Sequence, residues 1–230
     1  MSEARRSSVD AVYASVDELR RRLGGPRRLA DATARTGWPR HGVYLFFEPG
    51  EVREDGVTPR IVRVGTHALT ETSRTTLWRR LAQHRGAVGG SNPGGGNHRG
   101  SIFRLHVGTA LIARDGWHDV ARTWGRGGSA SRDVRATEVE LERAVSRTIG
   151  AMPLLWLDAP DRRARGLIER DLIALLSNYD RDPIDPPSPG WLGHHADREA
   201  IRRSGMWNVN HVRDQVDGEG LRLFHEPVGQ

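Results

Sequence analysis

The chain has 230 residues, 37% hydrophobic and 28% charged, a length suited to one large domain with appendages rather than two full cores. It contains no cysteine, which excludes disulfide frameworks, thiol nucleophiles and cysteine-bound zinc, and no apolar run approaches the roughly 18 to 20 residues of a membrane helix. Thirty-five basic residues, all arginine, face 29 acidic ones, for a net charge of +6 and a pI near 10.9.

A surface of guanidinium forks suits phosphate, because each fork can grip two oxygens. Nucleic acid is therefore the first partner to expect, and no membrane is expected. The first ten residues, MSEARRSSVD, lack the apolar stretch of a signal peptide, so the expected compartment is the cytoplasm.

In chain order, residues 8–23 space Val12, Val16, Leu19 and Leu23 at helical intervals, with Ser8 as N-cap and Gly24, Gly25 and Pro26 as the stop. A short second helix is expected over residues 27–34. Residues 42–48, GVYLFFE, read as a strand, and after a loop at 49–59 residues 60–67 read as a second, antiparallel one. Helical period returns over residues 73–85. Seven of the fifteen residues from 86 to 100 are glycine, which predicts a mobile loop able to close over a phosphate backbone. Residues 101–112 read as a helix, and residues 113–133, around Trp117 and Trp124, as an extended excursion. A helix at 136–149, a third strand at 152–158 and an amphipathic helix at 161–178 follow. PIDPPSPG breaks the pattern at 183–190, and a last helix near 195–204 precedes SGMWNVNHV.

This order predicts an α+β fold with a small three-stranded antiparallel sheet flanked by helices, not a regular βαβ alternation. The expected organisation is an N-terminal helical extension at 1–40, a core at 41–180 and a C-terminal extension at 181–230. No glycine motif follows a strand and opens a helix, which argues against a nucleotide cradle.

Within these elements, Glu169 falls inside the apolar arc of Ile168, Leu172, Ile173, Leu175 and Leu176. A carboxylate on such a stripe is paired, snorkelling or bound to a cation. Arg80 and His84, four residues apart, share one helix ridge, either as a phosphate grip or as a solvated basic face. Tyr44 is mid-strand, where packing is the ordinary role, and Asn178 ends the Glu169 helix as a C-cap. His98 and Arg99 close the glycine-rich loop within reach of phosphates, and Arg79, Arg85 and Arg104 are further candidate nucleic-acid contacts. His67 is a strand-end histidine, His194 and His195 are poorly placed to share a metal, and Trp191 and Trp207 are expected to pack the tail or stack on a base.

The order of these features resembles the GIY-YIG nuclease superfamily over roughly residues 40–180. Gly42-Val43-Tyr44 matches the first tripeptide, and Arg63-Val64-Gly65 matches the second except that Arg63 stands where tyrosine is usual. The tail is also similar to that of bacterial members. The resemblance implies a DNA endonuclease acting in restriction, defence or DNA processing, with one divalent ion, Mg²⁺ or Mn²⁺, on Glu169. By position it makes Tyr44 the base or water-orienting group, Arg80 the stabiliser of phosphorane-like charge, His84 its assistant or a phosphate ligand, and Asn178 a holder of local geometry. Arg63 would stabilise phosphate or phenolate. It could equally mark a degenerate site, a nucleic-acid-binding module that does not cut.

Overall fold

The structure, a computed structural model, describes residues 2–90 and 92–226. Helix α1 runs over Ser2–Arg22, six residues earlier than its sequence signature, so Ser8 lies inside it and its hydroxyl donates to the Ala4 carbonyl rather than capping. The expected second helix is absent. Arg27–Arg28 form a two-residue strand, β1, followed by a 3₁₀ turn at Leu29–Asp31. Strands β2 (Gly42–Val52), β3 (Pro59–Gly65) and β4 (Pro153–Asp158) are the long members of the sheet, whose order is β1-β4-β2-β3 with every pair antiparallel. The sheet is thus four-stranded, not three-stranded. The fourth strand is Arg27–Arg28 paired to Leu154 and Pro153, too short and too charged to carry a strand pattern.

The helices are α2 (Leu77–Arg85), α3 (Ile102–Asp115), α4 (His118–Ala121), α5 (Arg132–Ala151), α6 (Arg162–Leu176), α7 (Glu199–Ser204) and α8 (Glu219–His225). Helix α2 starts at Leu77 because the Thr76 hydroxyl accepts from the Arg79 N–H. The excursion at 113–133 contains the last turn of α3 and all of α4, and its Trp124 is buried against His98, ring centroids 3.8 Å apart.

Alternation along β2 builds a core on each sheet face. Tyr44 and Phe46 point to the layer of α2, α3 and α5, whereas Val43, Leu45 and Phe47 point to α1, α6 and α8. Both proposed extensions enter these cores. Residues Val9, Val12 and Val16 of α1 are buried in one, and Trp191 and Trp207 of the tail in the other. Direct pairing of Gly65 with Tyr44 and of Arg63 with Phe46 puts both on the Tyr44 face. Beyond them Phe47 pairs with Ile61, so Val62 is an extra residue, and this bulge turns Ile61 to the other core.

The described residues of the 86–100 loop are bonded to one another and to α5. Ala87 and Gly95 are bonded N–H to carbonyl at 2.6 Å, Arg143 of α5 donates to Asn92 and to the Pro93 carbonyl, and His98–Gly100 form a 3₁₀ turn.

Candidate active site

Tyr44 and Gly65 are partners across β2 and β3. A Cβ at Gly65 would overlap the Tyr44 ring and hydroxyl, so glycine there is what lets the phenol lie flat across the neighbouring strand. From that position the Tyr44 hydroxyl meets His84 Nε2 at 2.9 Å, and His84 Nδ1 meets the Ser101 hydroxyl at 2.8 Å. His84 is completely buried. Burial, reinforced by the positive charges of Arg80, Arg63 and Arg104, holds its pKa well below 6.5, so the imidazole is neutral at pH 7.

Arg63 lies over the Phe103 ring, 4.6 Å from its centroid, and donates to the Trp207 carbonyl at 2.6 Å. Its Nε has no hydrogen-bond partner. Burial lowers its pKa, while Tyr44 and Glu169 act in the opposite direction through their charges. A guanidinium with spare donors beside a phenol and a carboxylate is poised for an added anion.

Helix α6 lies on the other face of the sheet from Tyr44, yet Glu169 reaches round the end of β3, where its Oε1 accepts from the Thr66 N–H at 3.2 Å. The meeting point is a cleft of about 540 Å³ at the β3 edge, lined by Arg63, Arg80, His106, Glu169, Asn208 and His211 among others. Burial raises the Glu169 pKa, and only in part do Arg63, His211 and Arg80 counter it. A larger hollow lies between the 86–100 loop and α5, bounded by Arg99, Glu138 and Glu142. It shares no residue with this cluster.

The sequence candidates divide cleanly. Arg63, Arg80 and Glu169 line the cleft, and Tyr44 with His84 forms a buried pair beside it, Tyr44 being only 1% exposed. Arg79 is exposed and lies outside the cleft. Arg85 is drawn inward over Trp78 and bonds the Ala32 carbonyl. Asn178 lies one residue beyond the actual C-cap, Ser177, and away from the cleft. Its side chain accepts from Arg5 and from the Ile184 N–H and donates to the Ile184 carbonyl, closing the turn after α6.

His98, Arg99 and Arg104 are corrected by the structure, since none is a surface group. The Arg104 guanidinium is fully buried and donates to Glu142, Ser146 and the His84 carbonyl. Arg99 forms a two-pronged pair with Glu138 at 2.6 and 2.9 Å, and His98 Nδ1 bonds Glu142 at 2.9 Å. The two guanidinium charges are spent inside the protein, and both His98 ring nitrogens are already bonded, Nε2 accepting the Gly125 N–H. The 86–99 segment contributes no described residue to the cleft. His67 is buried beside the Arg40 carbonyl, with its pKa lowered to about 4 by that burial, while His194 and His195 are exposed. Trp191 and Trp207 are buried and both donate to Glu48, so neither is free to stack on a base.

Residues 207–211 of the tail supply one wall of the cleft, a role beyond the packing or base stacking expected of Trp207. Trp207 N–H bonds the Val62 carbonyl at 2.7 Å, and the Asn208 amide bonds both the N–H and the carbonyl of Val64, covering the open edge of β3. The clue in sequence was the asparagine pair flanking Val209, whose amides can imitate a missing strand.

For a divalent ion the carboxylate in the cleft is Glu169. No cluster of three or more His, Cys, Asp or Glu suited to a metal exists among the described residues. One carboxylate is enough for Mg²⁺, which keeps several waters and takes phosphate oxygens as ligands. Glu169, with one oxygen bonded to Thr66 and a buried charge that needs a cation, fits that role. The family model described as "GIY-YIG domain" matches residues 3–230. No curated protein and no solved structure matches the chain.

Proposed function

The chain belongs to the GIY-YIG family, a nuclease-type domain, and on that premise we propose that it is a metal-dependent endonuclease hydrolysing DNA phosphodiester bonds at the β3-edge cleft. The observation that carries this reading is the convergence of Arg63, Arg80 and Glu169, from a strand and two helices on opposite sheet faces, on one cleft beside the Tyr44–His84 pair.

Phosphodiester hydrolysis needs negative charge neutralised as water attacks phosphorus. Arg63 and Arg80 bind the non-bridging oxygens. Glu169 holds the divalent ion, Mg²⁺ or Mn²⁺, which when bound supplies further neutralisation on the phosphate. Tyr44 takes a proton from the attacking water. Phenol is a weak base near neutrality, with an ordinary pKa of about 10. The Arg63 guanidinium stands beside the phenol, and neutral His84, itself held by Ser101, orients the phenol hydroxyl at 2.9 Å. Arg63 in the usual tyrosine position thus replaces a second phenol with a fixed positive charge.

One observation favours a second reading. Tyr44 is buried to 99% and Arg63 is capped by the Trp207 carbonyl, as expected of a module that binds nucleic acid without cutting it. Supercoiled plasmid with Mg²⁺, incubated beside the Glu169→Ala variant, separates the two. The nuclease nicks or linearises plasmid, and Glu169→Ala abolishes this while DNA affinity stays within about tenfold, roughly 1.4 kcal/mol. Binding that weakens steeply with salt, without cleavage under any divalent ion, establishes the binding module instead.

A further inference from the structure

His211 lines the same cleft, and its setting is unusual for a tail residue. Its backbone is left-handed, φ 64°, a conformation that a histidine adopts at a cost and keeps only where surrounding contacts enforce it. Those contacts are specific. The Ser177 hydroxyl at the end of α6 donates to the Val212 carbonyl at 2.6 Å, Val212 is buried in the core, and Arg181 bridges the carbonyls of Ala174 and Asp214. The Asp214 N–H closes the turn onto the His211 carbonyl at 3.2 Å. The turn at 211–214 is therefore fastened to α6, the helix that carries Glu169.

Within this turn His211 Nδ1 bonds Asp214 Oδ2 at 2.7 Å. The carboxylate fixes the tautomer, so Nδ1 carries hydrogen towards Asp214 and Nε2 has no bonded partner among the described residues. The ring is 37% exposed, so Nε2 is reachable by substrate. It is also near enough to Glu169 for its charge to act on that carboxyl. A solvated surface pair explains the hydrogen bond. It does not explain the enforced left-handed backbone, the anchoring to α6 or the place in the cleft wall.

We propose that His211, oriented by Asp214, is the general acid of the cleavage reaction and protonates the leaving ester oxygen. This rests on the nuclease reading above. In the step, the water oxygen forms a new bond to phosphorus as the ester P–O bond opposite breaks. The water proton passes to Tyr44, the Nε2 proton of the His211 imidazolium passes to the departing oxygen, and solvent reprotonates His211 afterwards. The products are a phosphate monoester end and a hydroxyl end. The charged and titratable groups that share its surroundings are Arg63, Arg80, His106 and Glu169 in the cleft, Arg198 just before α7 and Glu199 at its start, and Arg213 and Asp214 of its own turn.

The test is a leaving-group substitution. A duplex with a natural phosphodiester at the cleaved bond is compared with one whose leaving oxygen is sulfur, because a thiolate departs without a proton. The variants are His211→Asn, which tolerates the left-handed backbone but cannot act as the acid, and Asp214→Asn. Natural DNA should be cut about 10²–10⁴-fold more slowly by His211→Asn, and the sulfur-bridged duplex within about threefold of wild type. Asp214→Asn should show a smaller loss with the same selectivity. An equal loss on both duplexes, or no loss on either, overturns the general acid while the nuclease stands. A wild-type protein that binds both duplexes and cuts neither overturns the nuclease reading, and the acid with it.

Discussion

The cluster between α3 and α5 and the cluster at the β3 edge are built from the same residue types. In the first, Arg104, His98 and Glu142 satisfy one another. Glu142 receives the His98 N–H and ring nitrogen on one oxygen and the Arg104 guanidinium on the other. Burial pushes the Glu142 pKa up, but His98 and Arg104 prevail and the net shift is downward. In the second, Arg63 and Glu169 share a cleft without a direct ion pair, and burial prevails, so Glu169 shifts upward. A buried carboxylate completed by protein is a structural element; one left incomplete is a place for a ligand. The difference lies in the partners: Glu142 is bonded on both oxygens by His98 and Arg104, whereas Glu169 has the Thr66 N–H on one.

Breaking the satisfied cluster should have the largest effect. Arg104→Met strands Glu142 in the interior, and loss of one partner of a buried pair typically costs about 3–5 kcal/mol. It also removes the bond to the His84 carbonyl at the end of α2. Urea denaturation should show a loss of this size for Arg104→Met and under about 1 kcal/mol for Arg80→Met, which breaks no buried pair. Equal losses would mean that both clusters are structural.

The second test uses acid. His84, His67 and His106 are neutral through burial, the last two with pKa lowered to about 4. Because the folded values lie below the unfolded value near 6.5, their stability contribution is complete above pH 6.5. It is lost as pH falls towards 4, since the unfolded chain binds protons that the folded one refuses. Each such histidine adds a slope of up to about 1.4 kcal/mol per pH unit. His106→Leu should remove one proton's worth of slope between pH 6.5 and 4, about 3 kcal/mol over the window. An unchanged slope would show that His106 titrates freely.

The third test disturbs the seating of the phenol. Gly65→Ala places a methyl group in the Tyr44 ring, and overpacking of this kind costs about 1–3 kcal/mol. The ring must move off His84, so cleavage should fall by more than the stability loss explains while Glu169-dependent metal binding survives. Wild-type cleavage by a folded Gly65→Ala protein would remove Tyr44 from the mechanism.

How much was legible in sequence follows the same division. The three long strands and α6 declare themselves because their apolar residues repeat at periods of two and 3.6. Glu169 stood out because it interrupts such a stripe. Arg104 could not be recognised as buried, because an arginine on a helix is ordinary surface until Glu142, 38 residues later, is known to face it. Strand β1 has only two residues, both arginine, and exists because β4 offers an edge. The tail wall at Asn208 and His211 is a tertiary product. It depends on Trp207 bonding Val62 across 145 residues, which no local pattern encodes.

The smallest effect is also the most discriminating. If Glu169 is an incomplete ligand set, its charge should cost stability when no cation is present, and Glu169→Gln should stabilise the apoprotein by about 0.5–2 kcal/mol, the scale usual for relief of a functional site. Gln keeps an oxygen to accept the Thr66 N–H. The sign is fixed by linkage: a carboxyl whose folded pKa is raised favours the fold below its unfolded value near 4.3, and that advantage is lost as pH rises through the folded value. The Gln variant should therefore gain over wild type as pH climbs from 4 to 8, and the two should approach each other in acid. Adding Mg²⁺ at pH 8 should raise the wild-type melting temperature and leave the variant's unchanged, since an amide is a poor ligand for a hard cation. Melting curves across pH with EDTA or Mg²⁺ read both effects. A Glu169→Gln protein less stable than wild type at pH 8 in EDTA would place Glu169 with Glu142, as a carboxylate already completed by its arginines.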